Sequence, residues 1–312
     1  MEIRRGWRRS PRPAVVTIGN YDGVHRGHQA ILAQVRQAAQ RAGAATVVVT
    51  FEPTPQECFA PARAPARLTR LREKAVRVAA CGIDELRVLR FDRELAAQSA
   101  EDFVRRLLVD ALAAGHVVVG DDFRFGRDRA GDIHTLRALG QRHGFSVAGS
   151  ATIAADGERI SSTRIRQLLA AGELPAAARL LGGPYTICGR VIRGRRLGRQ
   201  LGYPTANLSL RRRRAPLRGI YVVEVAGLGP TPLPAVASLG TRPTVNGRGE
   251  LLEVHLLEGA HALYGKLLEV RFLHFLRPEA HFADLPTLRQ QIGQDAEAAR
   301  AWFEARRFQD DP

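Results

Sequence analysis

The chain has 312 residues, 45% of them hydrophobic, and a formal net charge of +16 at pH 7; that length suits two domains, because single cores stop growing near ~250–300 residues. No apolar run approaches the ~18–20 residues of a membrane helix, and the short run at 14–18 after the Arg-rich start falls below the roughly 7–15 residues of an export signal, so a cytoplasmic protein without a membrane partner is expected. Cys58, Cys81 and Cys188 lie far apart with no C-x-x-C pair, which excludes a recognisable zinc or iron–sulfur ligand set and argues against a disulfide framework.

The first half alternates apolar runs with helical patterns. Residues 14–18 and 46–50 are β-branched runs of the kind buried in parallel sheets. Between them Ile31, Leu32, Val35, Ala38 and Ala39 recur at helical spacing over 29–41, and Gly43 stands where a left-handed C-terminal cap is expected. Further strands are expected at 86–89, 117–119 and 145–148. Ser99-x-x-Asp102 fits a capping box that opens a helix with Phe103, Leu107, Leu108 and Leu112 on one face. This alternation predicts an α/β fold, a doubly wound parallel sheet with right-handed crossovers.

A helix is expected from Ser162 to about Ala171, broken at Gly172, with a second near 175–181. The pattern then changes. Residues 185–192, 220–225, 234–239, 251–257 and 267–275 are strand-like and separated by Gly-, Pro- and Arg-rich turns, which predicts a small antiparallel β-barrel. Residues 285–292 and 295–308 read as two closing helices. The boundary is expected near Gly182-Gly183-Pro184, giving domains 1–183 and 184–312.

The sharpest feature of the first half is Gly19-Asn20-Tyr21-Asp22-Gly23-Val24-His25-Arg26-Gly27-His28, between the first strand and the first helix. Ligands of parallel α/β sheets bind at such junctions, and a helix N-terminus offers N–H groups and partial positive charge to phosphates. His25-x-Gly27-His28 resembles the H-x-G-H signature of the nucleotidylyltransferases. Ile160-Ser161-Ser162-Thr163-Arg164-Ile165-Arg166 opens a later helix, where Ser162, Thr163 and Arg166 are placed to hold a departing pyrophosphate. Val119-Gly120-Asp121-Asp122-Phe123-Arg124-Phe125-Gly126 ends another strand. There Asp122 and Phe123 either meet a planar ring and its polar edge or fill a turn.

The second half carries the glycine-rich stretch from Gly194 through Gly198 and Gly202 to Tyr203-Pro204-Thr205-Ala206-Asn207. It lacks the lysine of a G-x-x-x-x-G-K-[S/T] loop. Thr205 and Asn207, two apart on an extended segment, point the same way and offer hard oxygens to Mg²⁺; a plain Gly/Pro turn is the alternative. Glu253 on a later strand is either a general base or a solvent-facing strand residue.

Taken in order, these segments resemble the prokaryotic bifunctional riboflavin kinase/FMN adenylyltransferase (FAD synthetase) family. The pieces are G-N-Y-D-G-V-H-R-G-H at 19–28, T-F-E-P at 50–53, V-V-G-D-D-F-R-F-G at 118–126 and I-S-S-T-R-I-R at 160–166. They continue with L-G-Y-P-T-A-N-L at 201–208, S-L-G-T-R-P-T at 238–244, L-E-V-H at 252–255 and L-Y-G-K at 263–266. The resemblance implies that riboflavin, FMN and ATP are the small-molecule partners, with Mg²⁺ as cofactor. His25 and His28 would then polarise the ATP phosphates, with Gly19, Asn20, Asp22, Gly23 and Gly27 forming the loop beside them. Gly194, Gly198, Pro204, Thr205 and Asn207 would bind the second nucleotide, Thr205 and Asn207 through Mg²⁺. Glu253 would activate the ribityl 5′-hydroxyl, and Arg277 and Glu279 fall on a flavin-side segment.

Three positions depart from the family pattern: Tyr21 stands where Phe is usual, Gly183 where Arg is usual, and His281 where Lys is frequent. The Arg-rich N-terminus and the run Arg211–Arg214 have no counterpart in it; the run reads as a solvated loop. The positive charge invites a nucleic-acid reading. Aromatics make up only 6% of the chain and do not interleave with the Arg clusters, which argues against that partner. An oligomer is compatible with the sequence.

Overall fold

The computed structural model describes residues 1–155, 157–194, 197–244, 247–259 and 261–310. Contacts divide the chain into two units, residues 1–65 with 69–162, and residues 66–68 with 163–312.

The first unit is built on six parallel strands: β1 (Glu2–Arg5), β2 (Ala14–Ile18), β3 (Ala45–Glu52), β4 (Glu85–Arg90), β5 (Ala114–Gly120) and β6 (Ser146–Ser150). Their order is β1-β4-β3-β2-β5-β6, and every pairing is parallel. All five residues of β2 are buried, as a strand covered on both faces requires. Val15, Val48 and Val118 pack with Leu32 and Val35 of α1 (Arg26–Ala42) on one face. Val16, Val47, Val49, Val117 and Val119 pack with Leu107, Leu108 and Leu136 on the other. Each buried side chain of this size contributes about 1.5–3 kcal/mol, so period-two alternation within the apolar runs builds both layers at once.

Helix α1 ends at Gly43, whose φ of 59° is the left-handed cap expected. Short helices α2 (Pro55–Phe59), α4 (Arg93–Ala96) and α5 (Ala100–Phe103) flank the longer α3 (Leu71–Ala80). Ser99 Oγ accepts from the Asp102 N–H at 3.0 Å and opens α5 as expected. The chain then continues as a π-helix over Val104–Ala111 that buries Leu107 and Leu108. Helix α6 (Ile133–His143) and the hairpin β7 (Ala154–Ala155) and β8 (Glu158–Arg159) complete this part.

Helices α7 (Ser162–Ala170) and α8 (Leu174–Leu181) match the expected helix, break and second helix. The barrel strands are β9 (Tyr185–Ile192), β10 (Ala206–Ser209), β11 (Gly219–Ala226), β12 (Leu233–Thr244), β13 (Gly247–Leu256) and β14 (Leu267–Arg277), with α9 (Leu197–Gln200) after β9. They close in the order β10-β13-β12-β11-β14-β9, with antiparallel pairing throughout. The alternating burial along β9 gives the barrel its inside and outside.

Two expectations are corrected. The two closing helices are one, α10 (Leu285–Asp310). Gly293 does not break it, and a Cβ there would stand 2.8 Å from the Tyr203 hydroxyl. The glycine serves a close approach at a cost of about 1 kcal/mol in helix propensity. The run Arg211–Arg214 is not wholly solvated either. Arg212 is half-buried and donates to the Tyr185 hydroxyl at 3.0 Å and the Arg67 carbonyl at 3.3 Å.

Candidate active sites

The loop from Gly19 to His25 joins β2 to α1, and nearly every group in it is fixed. His25 is the N-cap of α1, its Nδ1 accepting the His28 N–H at 3.4 Å. An Nδ1 that accepts carries no proton, which puts the ring proton of a neutral His25 on Nε2. The His25 and His28 rings stack at 3.7 Å with 17° between planes. A Cβ at Gly27 would lie 3.2 Å from His25 Nδ1, so the glycine makes room for the stack. Burial, then the neighbouring His25, then Lys74 hold the His28 imidazole well below its usual range. His28 Nδ1 is buried without a hydrogen-bond partner, which costs about 1–3 kcal/mol unless something meets it.

Asp22 is buried, and its Oδ1 accepts from the Thr69 N–H at 2.9 Å and the Thr69 hydroxyl at 3.2 Å. Thr69 Oγ1 in turn accepts the Gly23 N–H at 2.9 Å, and Ser162 Oγ donates to the Asp22 carbonyl at 2.9 Å. Asp22 is thus a clamp on the loop, while Asn20 is exposed. Tyr21, where phenylalanine is usual, is buried and bonds Thr17 Oγ1 at 2.6 Å. Thr163 and Arg166 belong to the second unit; Thr163 is exposed, and Arg166 Nε donates to the Ala66 carbonyl at 2.6 Å. Asp122 is exposed at the end of β5 and paired with Arg159. Phe123 stacks on Phe125 at 5.3 Å and packs against the core.

In the barrel, register does what the sequence could not state. Asn207 on β10 lies directly opposite Glu253 on β13, and Glu253 is also opposite Ser238 on β12. A Cβ at Gly194 would overlap the Asn207 amide; at Gly198 it would overlap the Tyr203 carbonyl and approach Thr205 Oγ1 to 3.1 Å. The two glycines therefore bring bare backbone against the two residues expected to hold a cation. Arg195 and Arg196 of the same stretch lie outside the described residues. His255 Nδ1 bonds the Pro204 carbonyl at 3.0 Å, and its ring meets Tyr203 edge-on at 5.4 Å. Hydroxyl, amide and carboxylate oxygens backed by close backbone fit Mg²⁺, which takes few protein ligands alongside phosphate oxygens and water.

On the segment expected to face the flavin, Arg277 is held by Asp295, with Nε at 2.8 Å and Nη2 at 2.7 Å from its two oxygens. Glu279 is exposed and lies against the Gly240 backbone, where a Cβ would overlap its carboxylate. Sequence reasoning missed Thr69, Lys74 and Asp295, and took in Ser238 only as part of S-L-G-T-R-P-T. Only their places in the fold reveal them, since none stands in a glycine-rich or paired-histidine pattern.

The chain matches the family described as FAD synthetase over residues 8–164 and that described as riboflavin kinase over residues 181–303. It is 49% identical to the bifunctional riboflavin kinase/FMN adenylyltransferase of Escherichia coli K12, covering 93% of this chain and 92% of that one. It is 49% identical to that of Pseudomonas fluorescens over 96% and 97% of the two chains, and 42% identical to that of Haemophilus influenzae over 97% and 99%. Among solved structures it is similar to a macrolide-efflux protein of Streptococcus pneumoniae, with a TM-score of 0.82 and 29% identity over 96% and 99% of the chains. Among the described residues no helix is long and apolar enough to cross a membrane.

Proposed function

Because the chain belongs to the bifunctional riboflavin kinase/FMN adenylyltransferase family, we propose specific residue roles for each of its two reactions. The chain phosphorylates riboflavin to FMN with ATP in its C-terminal half and adenylylates FMN to FAD, releasing pyrophosphate, in its N-terminal half. For the division between them we retain 1–183 and 184–312.

In adenylyl transfer an FMN phosphate oxygen attacks the α-phosphorus of ATP, and the bond to the β-phosphate oxygen breaks. Charge develops on the bridging oxygen and on the pyrophosphate that leaves. His25 Nε2–H, the His28 ring and the first N–H groups of α1 are the donors that meet this charge. Asp22, Gly23 and Thr69 hold the loop so that these donors need no reorganisation. Ser162, Thr163 and Arg166 are assigned to the pyrophosphate, and Asp122 and Phe123 to the flavin. In the kinase reaction Glu253 accepts the 5′-hydroxyl proton as that oxygen attacks the γ-phosphorus and ADP departs. Thr205 and Asn207 would hold Mg²⁺, which when bound neutralises charge on the phosphate oxygens. Gly194, Gly198 and Pro204 shape the backbone around that nucleotide, and Glu279 lies on the flavin side with Arg277 behind it. A cytoplasmic location is proposed with these roles, in keeping with Cys58, Cys81 and Cys188 lying far apart in the sequence with no C-x-x-C pair.

One observation supports the assignment best: each half brings together its own cluster of polar side chains, a stacked histidine pair at a helix start and an Asn207–Glu253 pair across two barrel strands. The test is His28→Ala, incubated with riboflavin, ATP and Mg²⁺ and resolved by chromatography. FMN should accumulate at the wild-type rate while FAD formation falls at least 100-fold, the scale of losing one oxyanion donor. Loss of both products together would sink the assignment.

A further inference from the structure

Lysine occurs only at Lys74 and Lys266 in this strongly basic chain, and Lys74 is buried, with 2% of its surface exposed. An ammonium in a protein interior costs several kcal/mol unless it is compensated. Its location is therefore informative. Lys74 lies on α3, and its Nζ donates to Thr50 Oγ1 at 3.0 Å. Thr50, fully buried at the end of β3, donates that hydroxyl to the Asn20 carbonyl at 3.3 Å. A hydroxyl whose oxygen accepts from a cation is a stronger donor. Five residues earlier Thr69 grips Asp22 and Gly23. The segment from Thr69 to Lys74 thus holds the Gly19–His25 loop at two points.

We propose that Lys74 is a positioning residue for adenylyl transfer: it fixes the Asn20 end of the loop through Thr50. This rests on the assignment of adenylyl transfer to the His25–His28 site. Among the described residues, the ionisable side chains seen to act on His28 are His25 and Tyr21 from its own loop and Lys74 from α3. Lys74 opposes protonation of His28 electrostatically, as His25 does. It reinforces what burial and His25 already do, keeping the imidazole neutral at working pH. A neutral ring keeps an acceptor nitrogen as well as a donor, and is drawn toward protonation only when phosphate charge arrives beside it.

The test measures FMN-to-FAD conversion between pH 5 and 8.5, with riboflavin-to-FMN turnover as an internal control, in Lys74→Met, Lys74→Arg and Thr50→Val. Lys74→Met should lower adenylyl transfer about 10–100-fold, the scale of a small misplacement. Its acid limb should shift to higher pH, because a charge opposing His28 protonation is gone. Lys74→Arg should keep the wild-type limb, and Thr50→Val should lose about tenfold in kcat without moving it. Kinase turnover should stay at the wild-type value in all three. An unmoved acid limb in Lys74→Met, or a matching fall in kinase turnover, overturns the proposal. Should Lys74→Met fail to fold, Thr50→Val decides alone: wild-type adenylyl transfer there overturns it. His28→Ala run alongside separates the two readings, since FAD formation surviving in that variant would indict the site and not Lys74.

Discussion

At Tyr21 a single added oxygen is satisfied locally. Its hydroxyl and that of Thr17 meet at 2.6 Å inside the core, and burial pushes the phenol well above its ordinary range. Tyr21→Phe should cost about 1–3 kcal/mol, because it strands the fully buried Thr17 hydroxyl. Adding Thr17→Val should restore most of the loss, a coupling that urea unfolding of the four-member cycle would measure. His28 gives a pH dependence of definite sign. Its folded-state affinity for protons is below that of the unfolded chain, so between the unfolded value near ~6.5 and the lower folded value the unfolded state binds more protons. Stability present above that window is lost as pH falls through it. Thermal midpoints between pH 5 and 7.5 should drop more steeply with acid in the wild type than in His28→Asn; equal slopes would contradict the burial of a neutral ring. The motif histidines were singled out by their spacing together with their place between a strand and a helix. Thr69 and Lys74 were not, because what matters about them is which loop α3 and its leading turn face.

At the scale of elements, the strands and helices around both sites announced themselves through apolar periodicity and caps, as at Gly43 and Ser99. Others went unread for physical reasons. The Arg-rich start looked like an unassigned tail, yet residues 2–5 pair in parallel with β4. The reason sits on the partner strand: Arg87, fully buried, donates to the Gly6 and Arg8 carbonyls and to Ser10 Oγ while pairing with Glu85. Strand β10 was hidden inside the P-T-A-N motif, too short for a periodic signal. Helix α10 looked like two because a glycine reads as a break, but Gly293 is there to admit the Tyr203 hydroxyl. Gly293→Ala should gain about 1 kcal/mol of helix propensity and yet push Tyr203, next to Pro204 and Thr205, off its place. We expect riboflavin phosphorylation to fall severalfold while supplied FMN is still converted to FAD at the wild-type rate. Unchanged kinase turnover would show that the Tyr203 contact does not support the nucleotide loop.

At the scale of the whole molecule, two reactions that both consume ATP are carried by units with separate cores, one a parallel sheet and one a closed barrel. That division was readable as a change from strand–helix alternation to closely spaced strands. What composition could not reveal is that the second unit is not one continuous stretch, because residues 66–68 group with it. Tyr185, buried at the first barrel strand, donates to the Leu68 carbonyl at 3.0 Å, and Arg212 reaches the Arg67 carbonyl. Helix α8 also buries Leu174, Ala177, Leu180 and Leu181 and packs against β9 and β14. Fragments cut at different places should therefore differ in a predictable order. A fragment 163–312 loses the hydrogen bonds that Arg166, Tyr185 and Arg212 give to residues 66–68, about 1.5–4.5 kcal/mol for the three at ~0.5–1.5 kcal/mol per bond. A fragment 184–312 also loses α8, and with it several kcal/mol of apolar burial at ~1.5–3 kcal/mol per large side chain. Urea midpoints of the two fragments, read with riboflavin phosphorylation, check this. The longer fragment should unfold later and keep kinase turnover. Equal midpoints would mean that α8 adds nothing to the barrel and that residues 184–312 suffice for the second reaction.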